Sequence, residues 1–355
     1  IAYAGTYGTN GFYLPFEQDY TVEGFSTVTY EGNGATQYIG GTGFQPDFTW
    51  IKERSSTSSH ALYDSIRGAL KQLESNTTDA ESTASSMLTS FDTDGFSVGS
   101  SGAINQSGQT YVAWNWDMGG TTASNTSGSI TSSVRANTTY GQSIVSYSGT
   151  GSNATIGHGL SSAPNMIICK TRATAGYNWP VYHSGLGSAL SIVQLGAQGS
   201  NAAFDSANKF NSTAPTSSVF SVGTHGTNVS GGTQIAYCFH DVTGYSKFGS
   251  YSGTGSSNAI TTGFTPAFLM VKRTNSTGNW VMWDNARVPS GVIVGDYLQA
   301  NLSDPENDPT GSNAVTFTTT GFTLTGNGIY SNSSSDTFIY MCFADTREYA
   351  YWLDQ

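Results

Sequence analysis

One phrase occurs three times in this chain, and that repetition limits what it can fold into more than any other feature. TGFQPDFTWIKERS at 42–55 returns as TTGFTPAFLMVKR at 261–273 and, more loosely, as GLSSAPNMIICKTR at 159–172. Each copy follows an alternating run, namely FSTVTYEGNG (25–34), GSYSGTGSSN (249–258) and SIVSYSGTGSN (143–153). Tyr30, Tyr147 and Tyr251 therefore correspond, as do Pro46, Pro164 and Pro266, and Lys52, Lys170 and Lys272. Further along, HALYDSIRG (60–68), WPVYHSGLG (179–187) and WVMWDNARV (280–288) align, followed by DGFSVGS (94–100), SVFSVGT (218–224) and TGFTLTG (320–326). Every copy closes on an aromatic run ending in Asp: YVAWNWD (111–117), IAYCFHD (235–241) and IYMCFAD (339–345). This alignment puts Asp117, Asp241 and Asp345 in one column, and Cys238 and Cys342 opposite Trp114. A spacing of about 100–125 residues is too long for a solenoid repeat and suits a small domain used three times.

The expected layout is a connecting segment at 1–21 and repeats at 22–120, 141–243 and 244–355. A flexible linker is expected over 121–140, where GGTTASNTSGSITSS is rich in Gly, Ser and Thr. The second joint, VTGYSK, is short and should hold its neighbours close. Alternating runs such as STVTY, broken about every ten residues by Gly, Asn and Ser, indicate strands and turns. The fold class expected is all-β, with three tandem homologous antiparallel β-sandwich (jelly-roll-like) domains. Leu62, Ile66, Leu70 and Leu73 fall at helical spacing, but the third copy has Pro289-Ser290-Gly291 there, which a continuous helix does not tolerate. A strand and then a loop or single helical turn fits both. DFTWIK and its relatives carry apolar residues on both faces, with Trp50, Ile168 and Met270 sharing the parity of the lysine. One face feeds the sandwich core; the other is covered by a loop of its own domain or by a neighbour.

Composition supports this class and excludes others. Hydrophobic residues make up 37% and aromatic residues 13%, enough for real cores, while only 10% are charged. A net charge of −11 offers no basic stripe for nucleic acid or for an anionic membrane surface. No apolar run approaches the ~20 residues of a membrane-spanning helix. The chain starts IAYAGTYG without Met, so trimming or a partial sequence is expected. Cys169, Cys238 and Cys342 are too few for a disulfide scaffold and read as small buried hydrophobes, with a Cys169–Cys238 bridge as the alternative.

The chain offers little that resembles catalytic chemistry. Asp92 and Asp94 in FDTDGF resemble a calcium loop, but the third copy has Thr318 and Thr320 there, so a turn before a strand is preferred. Asp304, Glu306 and Asp308 alternate in DPENDP and are the weak calcium candidates. His60, His158, His183, His225 and His240 lack metal-ligand spacing, and no nucleophile elbow or phosphate loop occurs. Asp117, Asp241 and Asp345 read as turn formers. No catalytic residue and no cofactor is assigned. Trp179 and Trp280 are the weak candidates for stacking on sugar rings, with burial in the core as the competing reading.

YAGTYGTNGFYLPF (3–16), followed by FSTVTYEGNG, TGFQPDFTWIKERSSTSSHALYDSIRG, LTSFDTDGFSVGS and YVAWNWDMGG, resembles the repeated domain of virion structural and tail-fibre-like proteins of marine bacteriophages, cyanophages included. The resemblance is strong over about residues 3–120 and diverged over the other two copies. It implies a non-enzymatic virion protein, a tail fibre or a capsid-surface fibre or decoration, contacting the host surface and other virion proteins. It also implies host-surface polysaccharide as a partner and, by analogy with fibres, a homotrimer. The alternatives are a carbohydrate-binding adhesin outside a virion and, third, a glycan-cleaving enzyme.

Overall fold

The runs that lack alternation become strands buried on both sides. A computed structural model describes residues 22–346 apart from residue 190 and residues 288–290, 292–295 and 308–312, so Pro289 and the segment 1–21 lie outside the described residues. The chain is all-β, with several antiparallel sheets.

The first repeat comprises β1 (Phe25–Glu31), β2 (Gln37–Gly40), β3 (Phe48–Glu53), β4 (Ala61–Asp64), β5 (Lys71–Gln72), β6 (Ser82–Thr83), β7 (Leu88–Asp92), β8 (Gly95–Val98), a single helical turn α1 (Gly102–Asn105) and β9 (Thr110–Trp116). Then come β10 (Ala123–Asn125) and β11 (Ser132–Asn137). The second repeat has β12 (Gln142–Ser148), β13 (Ala154–Gly157), β14 (Met166–Thr171), β15 (Trp179–His183), β16 (Ser191–Leu195), β17 (Phe204–Asp205), a short α2 (Ala207–Phe210), β18 (Val219–Val222) and β19 (Thr233–Phe239). The third has β20 (Ser246–Ser252), β21 (Asn258–Thr261), β22 (Pro266–Arg273), β23 (Trp280–Asp284), β24 (Leu298–Gln299), β25 (Ala314–Thr318), β26 (Gly321–Thr325) and β27 (Thr337–Ala344).

Three large sheets share one strand order: β1-β9-β3-β4, then β12-β19-β14-β15-β16 within an eight-stranded sheet, then β20-β27-β22-β23-β24. Smaller sheets, β2-β8-β7, β13-β18 and β21-β26-β25, pack on one face of each. Within the expected linker over 121–140, two segments are strand. β10 and β11 extend the second large sheet beyond β12, because the Ser- and Thr-rich segment finds a free sheet edge to pair with. Helical spacing at Leu62–Leu73 gives no helix. Asp64 Oδ1 accepts the amides of Ile66 (3.1 Å) and Arg67 (2.9 Å), turning the chain directly after β4. At the β7–β8 hairpin, Gly95 has φ 148° and its position would put a Cβ 2.0 Å from the Ile39 carbonyl oxygen; Gly321 does the same against Ile260 at φ 157°. Only glycine fits these positions, which explains the Gly-Phe pair common to DGFSVGS and TGFTLTG.

Alternation survives in three dimensions as a choice between two cores. In β3, Ile51 enters the core under its own small sheet, while Phe48 and Trp50 face the other way. In β14 and β22, Cys169 and Val271 lie in their own cores, and Ile168 and Met270 face outward with Trp50. These outward faces meet in one large central cluster fed by all three large sheets. Of the two covers left open by the sequence, the neighbouring repeat supplies it.

Strand register corrects one alignment. Tyr30 pairs with Tyr111, Tyr147 with Gln234 and Tyr251 with Phe338. Trp114, Tyr237 and Met341 are therefore equivalent, and Cys238 and Cys342 correspond to Asn115, not to Trp114. Aligning the repeats on their terminal Asp slips the first by one residue, which in a strand exchanges the faces. At the centre, Trp116, Phe239 and Phe343 are equivalent and touch pairwise, with ring centroids 6.4, 5.9 and 5.9 Å apart. This aromatic triangle marks a pseudo-threefold axis within one chain.

Candidate functional site

Equivalent residues meet around that axis in head-to-tail order, so each junction between repeats repeats the same bonds. His60, Trp179 and Trp280 open the fourth strand of each repeat. His60 Nε2 donates to the Gln299 carbonyl (3.0 Å), Trp179 Nε1 to that of Glu74 (3.1 Å) and Trp280 Nε1 to that of Gln194 (2.7 Å). Burial pushes the His60 imidazole down to about 3, so it is neutral, and its Nδ1 accepts from Trp50 Nε1 at 2.8 Å. Four residues further along, Asp64 accepts the Tyr237 hydroxyl (2.7 Å), Asp284 accepts Trp114 Nε1 (2.9 Å) and His183 Nε2 donates to the Tyr340 carbonyl (3.0 Å). Main-chain bonds repeat the cycle at the rim: Glu81 N to Arg172 O, Ala203 N to Thr274 O and Glu306 N to Arg54 O, at 2.8, 2.7 and 2.7 Å.

Side chains at the rim break the symmetry. Between the first and second repeats, Glu81 pairs with Arg172 (2.8 Å) and Arg67 (3.4 Å). Between the third and first, Glu306 pairs with Arg54 (2.7 Å) and Arg287 (2.5 Å). The equivalent positions between the second and third are Ala203, Thr274 and Leu186, none of them charged. An open cleft of about 460 Å³ lies there, walled by Ser250, Ser252, Thr274, Asn275 and Thr337, with Leu186 and Ala203 as its apolar part and Tyr251 and Phe338 behind its wall, in the core of the third repeat. Its counterpart between the third and first repeats, about 410 Å³, is lined by Arg54, Asp296 and Glu306. The neutral cleft is the candidate site. Its wall is preset: Thr274 Oγ1 and Thr337 Oγ1 are 2.7 Å apart, Asn275 Oδ1 accepts the Thr337 amide (3.1 Å), and Tyr251 stacks on Phe338 at 5.1 Å while its hydroxyl donates to Ser331 O (2.6 Å).

The residues singled out in the sequence lie elsewhere. Trp179 and Trp280 are buried in the central core, 0% and 1% exposed, so neither can stack on a sugar; their apolar rings and single donors fit the junction instead. Glu306 is taken by two arginines, which hold its carboxyl below the usual range despite burial, Asp304 is exposed, and Asp308 lies outside the described residues. Among the described residues no group of three or more His, Cys, Asp or Glu could hold a metal ion, and no helix is long and apolar enough to cross a membrane. Asp94 accepts the amides of Gly41 (3.2 Å) and Gly43 (2.6 Å), and Asp92 accepts the Ser97 hydroxyl (2.7 Å), as a turn requires. His158 Nε2 contacts Thr216 O at 3.1 Å, His225 Nδ1 contacts Lys209 Nζ at 2.6 Å and His240 Nδ1 contacts Asp241 O at 2.8 Å. Asp117 accepts the Gly119 amide (2.9 Å), Asp241 the Phe248 amide (2.7 Å), and Asp345 bonds Asn285. Cys169, Cys238 and Cys342 are free and buried, and burial raises each thiol well above its ordinary range.

A third cleft, about 390 Å³, holds Asp47, Asp117 and Arg135. Burial pushes the Asp47 carboxyl up to about 7 against the pull of Arg135, 2.7 Å away. Its Oδ2 accepts the Met118 amide at 3.0 Å, as Asn165 Oδ1 accepts that of Asp241 at 2.9 Å. Asp47 thus closes the last strand of its repeat, a role an uncharged amide fills equally.

Lys52, Lys170 and Lys272 lie under the rim, each donating to a backbone carbonyl, of Glu53 (2.6 Å), Tyr177 (2.6 Å) and Gly278 (2.7 Å). Burial pushes Lys52 and Lys170 down to about 8 and Lys272 to about 7. An unfolded lysine titrates near 10.4. From about pH 7 to about pH 10 these lysines therefore bind more protons in the unfolded chain, and their contribution to stability rises with pH. Above about pH 8.5 the buried thiols and tyrosines, raised by burial, act in the opposite direction. The urea midpoint should be higher at pH 8 than at pH 7, with most of the rise absent in Lys272→Met, the lysine pushed furthest down. A midpoint that falls over the interval contradicts this.

The family model of a domain of unknown function, DUF7483, matches residues 21–347, spanning all three repeats. No curated protein and no solved structure matches the chain.

Proposed function

The chain belongs to the DUF7483 family, a domain of unknown function, and we propose from that premise that it is a non-enzymatic structural protein of a bacteriophage virion, a tail fibre or a capsid-surface fibre or decoration contacting the host. The observation that carries this reading is the closure of three equivalent sheets on one aromatic core. One chain thereby builds a rigid three-lobed body, as suits a part that must hold its shape on a particle surface. The repeats are copies of one jelly-roll-like domain, joined in tandem. Threefold packing is met within the chain, so association of whole chains into a trimer would use other surfaces. The catalytic-looking residues support a non-enzymatic role, because His60, His183, Asp64 and Asp284 are all engaged in junction bonds. The neutral cleft favours a second reading, a carbohydrate-binding adhesin outside a virion.

Electron microscopy of purified particles, labelled with gold-conjugated antibody against this chain, tests the proposal. Label on the tail or its fibres is expected for host attachment, and label over the capsid for a decoration. Particles without label would overturn the virion reading and leave the adhesin.

A further inference from the structure

We propose that the cleft between the second and third repeats binds an uncharged saccharide, through the uncharged lining left where the Arg–Glu–Arg cluster of the other two junctions is replaced by Thr274, Ala203 and Leu186. This rests on the reading of the chain as a surface-contacting protein and names what it contacts.

The other junctions serve as internal controls. Where Arg172 and Arg54 stand, a guanidinium reaches across the rim to Glu81 or Glu306, and the cleft of about 410 Å³ beside Arg54 and Glu306 is lined with charge. Thr274 and Ala203 are too short to meet, although their backbones keep the same 2.7 Å bond. The backbone frame is unchanged and only the charged side-chain cluster is missing. Side chains facing the axis shift from apolar to hydroxyl along two strands, Phe248 then Ser250 and Ser252 on β20 and Met341 and Ile339 then Thr337 on β27, while Met270 on β22 is followed by the buried Lys272 and, just past the strand, Thr274. The cleft starts where the apolar core ends.

Its chemistry selects the ligand. A volume of about 460 Å³ is in the range of small-molecule sites. Hydroxyls and one carboxamide line it beside the aliphatic side chains of Leu186 and Ala203, with no charged side chain in the wall. That mixture matches a pyranose, which presents hydroxyls at its edge and C–H groups on its faces. An anionic ligand finds no cation there, and the net charge of −11 repels it.

The test uses the whole chain with glucose, galactose, mannose, N-acetylglucosamine and their β-linked disaccharides as probes, read by saturation-transfer NMR and titration calorimetry. At least one is expected to bind saturably. Ala203→Glu with Thr274→Arg brings the charged pair of the other junctions into the cleft and should weaken binding at least tenfold while leaving the chain folded. Asn275→Ala, at an exposed position, should weaken it severalfold and covers the case in which the double variant misfolds. Absence of saturable binding by every probe, or binding undiminished in both variants, overturns the proposal. Particle labelling reads the virion assignment independently, so labelled particles with no sugar affinity would remove the cleft's role alone.

Discussion

Trp116→Ala is expected to destabilise the entire chain by about 3–5 kcal/mol, the cost of removing a buried aromatic, and to leave a single unfolding transition. Trp116 is 1% exposed and contacts Phe25 and Phe48 of its own repeat, Phe239 of the second, and Phe268 and Phe343 of the third. Its loss opens a cavity at the point where all three sheets meet, and no single repeat can close it. Equilibrium unfolding in urea, followed by far-ultraviolet circular dichroism and tryptophan fluorescence, checks this. The two signals should move together and shift together in the variant. A first repeat that melts separately while the other two keep the parent midpoint would show that the central core does not couple them. For the same reason residues 141–243 alone should not fold stably, since Ile168, Tyr237 and Phe239 would face water.

Arg67→Leu should cost a similar ~3–5 kcal/mol, because it leaves a buried carboxylate without its cation. Arg67 and Asp64 form an ion pair in which neither side chain is exposed, and Arg67 also donates to the carbonyls of Lys71 and Leu62, both at 2.9 Å. Removing the cation strands Asp64 against Tyr237. The second repeat shows a different solution at the same two positions, His183 and Leu186, with the histidine uncharged because burial pushes it down to about 4. The double change Asp64→His with Arg67→Leu should therefore cost clearly less than Arg67→Leu alone. Denaturant midpoints of the two variants decide it, and a double variant no better than the single would mean that the aspartate is not the source of the loss.

Much of the fold could be read before any coordinates. The repeated phrases located the three sheet pairs, and the unbroken apolar runs around Trp50, Ile168 and Met270 announced strands covered on both faces. The column of Asp117, Asp241 and Asp345 misled because terminal Asp residues serve different bonds in each repeat, while strand pairing fixes register through backbone bonds that local sequence does not encode. Trp179 and Trp280 were visible as unusual residues, but an indole looks alike in a sequence whether it awaits a sugar or a carbonyl of the next repeat. The D-x-x-R spacing of Asp64 with Arg67 and Asp284 with Arg287 was a readable signal for half of each rim cluster. Glu81 and Glu306 gave none, because they lie in loops that do not align.

By itself, then, the sequence determined the repeat, the strand content and the two-faced burial of the central strands, since these depend on local periodicity and on residues a few positions apart. Only the tertiary structure decided that the three outward faces close on one another, that Glu306 belongs to arginines and not to a metal ion, and that one junction of three lacks the charged cluster. Each of these depends on groups some hundred residues apart meeting across the axis, where a change from glutamate to alanine matters only because of what stands opposite.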